Sequence, residues 1–241
     1  MLKVSNRLIA VFVIAFMVFQ SYSIASAFIS DFKMKKEKEA QIFLGEQLTA
    51  KATSSGTVTV GILSFCNIDL VQGWNFISIC ANTQNKSIKS ILDSIDGQYD
   101  YVLEWDNALQ DFSLYSVYAS ENPFNEMNEN KSYFVYFNPP SGNINVGGNE
   151  YDDLNLTLEY KWNDPFYPYI FRANISKYLS TIDPQYEYVL KWNTSIQDFS
   201  LYSVYASENP FYFIDMGEGQ FISIKNISGA VLRYNKSYLQ T

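Results

Sequence analysis

The sequence predicts an α+β fold that is rich in β-strand, built as two tandem repeats, each a small antiparallel sheet of short strands with one short helix. Two observations predict it. Residues 98–124 return as residues 185–211, 87 positions later (185 − 98), and fifteen of them, 110–124, recur letter for letter as 197–211. Short runs of aromatic and β-branched residues also alternate with turn residues throughout. A repeat of this kind predicts two copies of one unit.

Residues 1–27 are typical of an export signal. Lys3 and Arg7 give a positive start, an apolar run covers residues 8–19, and the small residues 25–27 fit a cleavage site. An uncleaved N-terminal membrane anchor is the alternative, because the apolar character continues past residue 27.

The charged stretch after the signal, residues 28–55, predicts a linker or stalk helix. Repeat unit 1 is then expected at 56–148 and repeat unit 2 at 149–241. Each copy has fewer than about 100 residues, yet the chain is 47% hydrophobic, which suffices for a core in each copy.

The formal charge of the chain is −8 at pH 7, and it contains no histidine. Because nucleic acids and anionic lipids are themselves negative, this charge argues against both as partners. The lack of histidine excludes catalysis that depends on imidazole. We expect no cofactor, no metal and no enzyme activity, and membrane contact only through the N-terminal segment if it stays uncleaved.

Seven asparagines stand two residues before Ser or Thr without an intervening proline, and these are candidate N-glycan acceptors. They are Asn85, Asn130, Asn155, Asn174, Asn193, Asn226 and Asn235. Together with the export signal, they favour an exterior location. Asn174 has the alternative role of a helix cap.

Cys66 and Cys80 are the only cysteines. An even pair in an exported chain predicts a disulfide, and two separate buried thiols are the alternative. Both residues end apolar, strand-like runs, so we expect them to face each other across a hairpin.

Each unit is expected to contain a short helix. In the first helix Ser87 is the expected N-cap and Gly97 the expected end. In the second helix Asn174 is the expected N-cap and Pro184 the expected end. The apolar faces are Ile88, Ile91, Leu92 and Ile95, and Ile175, Tyr178, Leu179 and Ile182.

The strand after each helix alternates clearly between two faces. The inward residues are Tyr99, Tyr101, Leu103 and Trp105 in unit 1, and Tyr186, Tyr188, Leu190 and Trp192 in unit 2. We interpret both tryptophans as core, with a ligand-stacking surface as the alternative. On the outward face, Glu104 of unit 1 corresponds to Lys191 of unit 2, which reverses the charge. We therefore expect this face to make no charged contact common to both units and to face solvent. A Pro139–Gly142 run is expected to separate the units.

The first copy resembles a family of extracellular repeat domains of archaeal and some bacterial surface proteins. The resemblance rests on the opening Gly73-Trp74-Asn75-Phe76-Ile77-Ser78 and on the closing segment 126–134, with the pattern E-M-x-x-x-K-x-Y-F. Residues 162–163 and 215–221 carry a weaker version. The resemblance implies a non-catalytic secreted or surface module. Cys80 stands where that family has proline, which makes a disulfide particular to this chain more credible.

Tyrosines on the repeated strand are the best candidates for a ligand surface, because exposed rings stack on sugars and bind partners. They are Tyr115, Tyr118, Tyr202 and Tyr205. The repeated acidic residues Asp111, Glu121, Asp198 and Glu208 could bind a hard cation or serve as paired carboxylates, but turn carboxylates usually bond their own backbone amides.

The sequence therefore predicts a non-catalytic secreted or cell-surface protein with a structural or adhesive role in the cell envelope. Its expected partners are other envelope proteins or glycans. One alternative is a carbohydrate-binding module that uses the duplicated tyrosines, and another is a pilin-like filament subunit that packs through its N-terminal apolar segment.

Overall fold

A computed structural model describes residues 63–240, all of which belong to one compact unit. The signal or anchor at 1–27, the linker at 28–55 and the start of repeat unit 1, residues 56–62, lie outside the described residues. Within residues 63–240, no helix is long and apolar enough to cross a membrane. Below, residues 63–149 are called the first half and residues 150–240 the second half.

The described chain is mainly β-strand. The first half contains β1 (Leu63–Ser78), α1 (Ile88–Ile91), β2 (Tyr99–Asp106), β3 (Asp111–Ser116) and β4 (Ser132–Asn149). The second half contains β5 (Leu154–Leu158), β6 (Lys161–Asn163), β7 (Ala173–Asn174), α2 (Ile175–Tyr178), β8 (Tyr186–Asn193), β9 (Asp198–Ser203), β10 (Phe213–Ile214), β11 (Gln220–Ile224), β12 (Ala230–Tyr234) and α3 (Lys236–Leu239). Short 3-10 turns at Asp93–Ile95 and Ser180–Ile182 extend α1 and α2.

The strands form small antiparallel sheets, which confirms the β-rich fold class with few short helices. One four-stranded sheet has the order β1-β4-β2-β3, and the other has the order β6-β11-β8-β9. Two-stranded sheets pair β5 with β12 and β7 with β10. In both four-stranded sheets the strand with the repeated DFSLYS sequence, β3 or β9, lies at an edge.

β1 is a single long strand that bends sharply in its middle. Fourteen extended residues would span about 46 Å, yet the Cα atoms of Cys66 and Cys80 are 5.2 Å apart. The bend lies at Gly73, whose φ of 97° suits glycine. Asn75 fixes the bend, since its amide donates to the carbonyl oxygens of Val71 and Gly73 and its Oδ1 accepts from the Val71 amide. The disulfide thus joins the first arm of β1 to Cys80, which lies two residues beyond the end of the second arm, and our expectation of a hairpin was wrong.

Pro139–Gly142 does not separate two units, contrary to our expectation. The run lies inside β4, where residues 138–140 oppose the single residue Gln72 of β1 in an irregular register. Proline is tolerated at such a bulge because the ladder hydrogen bonds are already interrupted there.

The two short helices follow the sequence prediction. The Ser87 hydroxyl accepts from the Ser90 amide, and Asn174 Oδ1 accepts from the Ser176 amide, so both predicted caps are confirmed. Gly97 adopts a positive φ of 69° after the first helix. All eight predicted apolar positions are buried.

Each half has its own core, and a third apolar cluster lies between the halves. The first core includes Val102 and the second includes Val189. Both valines alternate with the predicted inward residues and so belong to the outward face, which we had expected to face solvent. Tyr101, Leu103 and Trp105 instead pack against the third cluster, which contains Trp74, Phe76, Phe134, Trp192 and Phe221. β2 and β8 are therefore covered on both faces, because the halves pack against each other.

Candidate functional site

The four predicted ligand tyrosines separate into two kinds. Tyr115 is only 6% exposed in the first core, and Tyr202 is half-buried against the second core. Tyr115 is not available as a binding surface, so that prediction was wrong, whereas Tyr202 keeps only part of its surface exposed and its role stays a prediction. Tyr118 and Tyr205 are 73% and 64% exposed. The candidate site in each half is therefore built around the second tyrosine of the SLYSVY sequence.

Tyr118 is held by a loop that closes on the end of β3. The Asn122 side chain accepts from the Ser116 amide at 2.8 Å and donates to the Ser116 carbonyl oxygen at 3.1 Å. The Ser116 hydroxyl accepts from the Tyr118 amide at 3.2 Å. Asn209 and Ser203 repeat these bonds beneath Tyr205. The ENPF corner of the sequence thus presents the tyrosine on a fixed loop.

A second tyrosine packs edge-on against each exposed ring. The ring centroids of Tyr101 and Tyr118 are 6.3 Å apart, as are those of Tyr188 and Tyr205. The exposed apolar residues Leu114 and Val117 lie on the same strand and loop as Tyr118, and Leu201 and Val204 do so in the second half. We call each set of tyrosine, tyrosine, leucine and valine a tyrosine patch.

The two tyrosine patches differ in charge. The Tyr118 hydroxyl donates to Asp100 Oδ1 at 2.7 Å, and this hydrogen bond to a carboxylate raises the pKa of Tyr118. In the second half, Lys225 Nζ donates to the Tyr205 hydroxyl at 3.3 Å and lies 5.5 Å from the centre of its ring. One patch therefore has an acidic neighbour and the other a basic one.

The exposed edges of β3 and β9 are largely capped by their own side chains. Asp111 Oδ1 accepts from the Phe112 amide at 2.8 Å, and Asn122 covers both polar groups of Ser116. On the edge strand of an antiparallel sheet, the backbone N–H and C=O groups of every second residue point away from the sheet. Between these caps, Leu114 is the residue whose amide and carbonyl groups point outward. Asp198 and Asn209 cap β9 in the same way.

These contacts show what two of the four candidate cation-binding residues do in the structure. Asp111 and Asp198 bond backbone amides, as turn aspartates usually do. The part of the chain that the structure describes contains no group of three Cys, Asp or Glu side chains arranged to hold a metal.

Two glutamines fasten the halves together through reciprocal contacts. Gln197 of the second half accepts from the Trp74 amide at 2.7 Å and donates to the Trp74 carbonyl oxygen at 3.2 Å. Gln110 of the first half bonds the backbone of Trp162 in the same two ways, at 3.1 and 2.9 Å. Trp162 follows Trp74 by 88 positions (162 − 74). We call these four bonds the glutamine clamp.

The clamp glutamines have an unusual backbone conformation. Gln110 and Gln197 adopt positive φ angles of 56° and 52°, which disfavour residues other than glycine. The indole nitrogens of Trp105 and Trp192 donate to the same two carbonyl oxygens, those of Trp162 and Trp74. Sequence reasoning missed this contact, although an identical glutamine directly after both turns was a visible signal.

Backbone bonds continue the reciprocal interface. The Ser78 amide donates to the Gly217 carbonyl oxygen at 2.9 Å, and the Phe166 amide donates to that of Asn130 at 3.4 Å. Gly217 and Asn130 are 87 positions apart and both have a positive φ. The two halves therefore exchange equivalent contacts, like the subunits of a two-fold dimer.

An ion pair recurs in both halves with its charges reversed. Lys131 Nζ lies 2.6 Å from Glu104 Oε1, and Lys191 Nζ lies 2.6 Å from Glu218 Oε2. Residues 191 and 218 each follow their counterparts by 87 positions. The predicted outward face thus makes a charged contact after all, because both partners changed sign together.

A buried carboxyl group lies beside the interface. Asp164 is 1% exposed, and its Oδ2 has no hydrogen-bond partner among the described residues. Burial raises the pKa of Asp164 well above its usual range, and Lys131 only partly opposes this shift. Burial thus shifts the protonation equilibrium of this carboxyl group toward the neutral form, relative to a carboxyl group in water.

Buried tyrosines fill much of the second core. The hydroxyls of Tyr178 and Tyr234 bond each other at 3.1 Å, and Gln220 donates to Tyr178 at 2.8 Å. Burial raises the pKa of both tyrosines and of Tyr167. The hydroxyls of Tyr178 and Tyr234 act as structural hydrogen-bonding groups of the core, whereas that of Tyr167 has no hydrogen-bond partner among the described residues.

Cys66 and Cys80 form the predicted disulfide in the first half. Both residues are fully buried in the first core. The bond fastens the bent arms of β1 to each other.

The candidate glycan acceptors differ in accessibility. Asn85, Asn155 and Asn235 are exposed, whereas Asn174, Asn193 and Asn226 are half-buried. Asn174 caps α2, as the alternative interpretation proposed. Asn130 is exposed, but the Ser132 hydroxyl of its sequon is buried and bonded to Ser78 and Pro165. Glycosylation of all seven stays a prediction.

No protein-family model, no curated protein and no solved structure matches this chain.

Proposed function

We propose that the described chain is a tandem duplication and that the protein is a non-catalytic secreted or cell-surface module with a structural or adhesive role in the cell envelope. The observation that carries this proposal is the presence of one tyrosine patch on each of two halves that are clamped together. Two fixed patches on one body suit a protein that holds two neighbours. The proposed repeat units keep the boundaries 56–148 and 149–241.

The sequence supports the proposed location. The export signal at 1–27, the seven sequons and the net negative charge favour an exterior protein. The buried disulfide adds to this support, because such bonds persist in oxidising compartments. The proposed partners are other envelope proteins or glycans.

Fractionation of cells that express the full chain tests the location. We expect the protein in the medium or on the surface, where protease added to intact cells removes it, and an N-terminus at Phe28 if the signal is cleaved. Recovery of the unprocessed chain from the cytosol would contradict the proposal.

Binding to isolated cell envelopes tests the adhesive role. We expect Tyr118→Ala and Tyr205→Ala each to weaken retention, and the double variant to lose it by more than either alone, because two patches act together. Tyr160→Ala is the control, since Tyr160 is exposed but lies outside both patches. Equal retention of all variants would contradict an adhesive role for the patches.

Carbohydrate binding is the second candidate function, and the exposed, edge-packed rings of Tyr118 and Tyr205 favour it. A glycan array with the mature protein tests it. We expect a bound glycan to be lost in the Tyr118→Ala plus Tyr205→Ala variant and kept in Tyr160→Ala. If the double variant binds the glycan as well as the parent protein does, the tyrosine patches are not the sugar site.

A further inference from the structure

An open cleft of about 570 Å³ lies in the second half, away from the tyrosine patches. It is formed by the two-stranded sheet of β5 and β12 together with the 3-10 turn after α2. Its lining is mainly polar and includes Thr157, Thr181, Gln185, Ser228 and Arg233. This volume is within the range of small-molecule sites and is large enough for a monosaccharide.

Arg233 gives the cleft a positive charge that no acidic residue between positions 63 and 240 neutralises through an ion pair. Its guanidinium group has no ion pair or hydrogen bond within residues 63–240, whereas the other arginine of this range, Arg172, pairs with Asp215. The whole chain has 25 acidic and 17 basic residues. An unpaired guanidinium in such a chain is a ready partner for an anion, because its planar fork matches a carboxylate or phosphate.

The hydroxyl groups around Arg233 suit the rest of a sugar. The Thr181 hydroxyl oxygen accepts from the Arg233 amide at 3.0 Å, so its own proton remains available for donation. Thr157 and Ser228 add two more hydroxyls, and Val231 and Ala230 add apolar contact.

The first half lacks this arrangement at the matching positions. There Asn145 stands in place of Arg233, and Asp69 stands in place of Thr157, each 88 positions earlier. Asn143 Nδ2 donates to Asp69 Oδ1 at 2.9 Å, which bridges the two strands with side chains. An acid at this point would also repel an anion. The cleft chemistry is thus particular to the second half.

We propose that this cleft binds a small hydroxyl-rich ligand that carries a carboxylate or phosphate group, such as a hexuronate. Arg233 binds the anionic group, and the hydroxyls of Thr157, Thr181 and Ser228 bind the sugar hydroxyls. This proposal is independent of the structural or adhesive role, because it involves neither tyrosine patch.

Calorimetric titration of the full-length chain with glucuronate, glucose and inorganic phosphate tests the proposal. All proteins are made without N-glycans, because Asn155 of β5 lies directly opposite Arg233 of β12 and its glycan would stand at the cleft. We expect glucuronate to bind at least about tenfold more tightly than glucose, since only glucuronate pairs with the guanidinium. If inorganic phosphate binds as tightly as glucuronate, the proposed contacts between the cleft hydroxyls and the sugar hydroxyls are wrong.

Two substitutions introduce the residues of the first half. Arg233→Asn and Thr157→Asp should each weaken glucuronate binding about tenfold or more, with an unchanged melting temperature because both side chains are exposed. Arg172→Asn removes the same charge outside the cleft and should leave binding unchanged. Glucuronate binding that survives Arg233→Asn, or that falls equally in Arg172→Asn, overturns the proposal, as does a failure of the parent protein to bind glucuronate.

Discussion

The two halves make the same contacts with different residues, and the ion pairs illustrate this best. Glu104 bonds Lys131 in the first half, and Lys191 bonds Glu218 in the second. A single change of sign at either position would have placed like charges together. The comparison teaches that the contact is retained while the identity of each partner is free to change.

The halves differ in how they hold their bent strands. In the first half the disulfide joins the two arms of β1, and β1 is continuous through the bend. In the second half the matching arms are the separate strands β5 and β6. Asn163 makes the same backbone hydrogen bonds as Asn75: its side chain bonds the amide and carbonyl groups of Glu159 and the carbonyl oxygen of Lys161. A cluster of buried tyrosines packs in the second half, where there is no disulfide.

Truncation of the interface tryptophans should show the largest difference between the halves. Trp192 is 8% exposed, whereas Trp105 is half-buried. We expect Trp192→Ala to lower the free energy of unfolding by about 3–5 kcal/mol because it leaves a cavity, and Trp105→Ala to cost less. Urea unfolding measures both values. Equal losses would show that the two rings support the interface alike, and a Trp105→Ala protein as stable as the parent would place Trp105 on the surface.

Removal of the disulfide should destabilise the first half. The bond closes a loop of 14 residues in sequence separation, and the loss of that constraint on the unfolded chain costs about 3 kcal/mol. We expect Cys66→Ala plus Cys80→Ala to lower stability by this amount, as measured by thermal unfolding under oxidising conditions. Addition of a reductant to the double variant is the control and should change nothing further. A variant as stable as the parent would mean that Asn75 alone suffices to hold the bend.

The glutamine clamp should contribute similarly from either side. Gln197→Ala leaves the Trp74 amide without its partner, and Gln110→Ala does the same to Trp162. Each should cost about 1–3 kcal/mol in urea unfolding, since a buried donor is left unsatisfied. Gln84→Ala, an exposed position in the first half, serves as the control. If only one of the two variants is destabilised, the two glutamines do not contribute equally to the stability of the interface.

Charge exchange within the first ion pair should have the smallest effect. Glu104→Lys places two lysines together and should cost about 1 kcal/mol or less, because the pair is partly exposed and screened. Glu104→Lys plus Lys131→Glu recreates the arrangement of the second half and should restore the parent stability. A double variant no more stable than Glu104→Lys would show that the two halves do not tolerate the same exchange. The difference should shrink in high salt.

Features set by neighbouring residues were predictable from the sequence. The caps Ser87 and Asn174 and the left-handed Gly97 depend only on the chain within a few residues, so their signals were complete. The bend of β1 depends on the hydrogen bonds of the Asn75 side chain and on the partner strand β4, which lies far along the chain. Nothing in a local pattern of β-branched residues distinguishes a bent strand from two separate ones.

The candidate site was half predictable. Tyr115 lies within β3, whereas Tyr118 lies two residues after its end, in the turn that leads to the ENPF corner of the sequence. That signal could have separated the buried ring from the exposed one. The burial of Val102 could not be read from alternation, because the register shifts between Tyr99 and Tyr101 and a second half covers the other face.

The capped edges of β3 and β9 determine how copies of this protein can assemble. Between the Asp111 and Asn122 caps, an incoming strand would find one open residue, Leu114, which is too little to set a register. Copies of this protein would therefore not extend a shared sheet through the edges of β3 and β9. Neighbouring molecules that meet at these two edges would be held by side chains, and single substitutions there could separate them while each molecule stays folded.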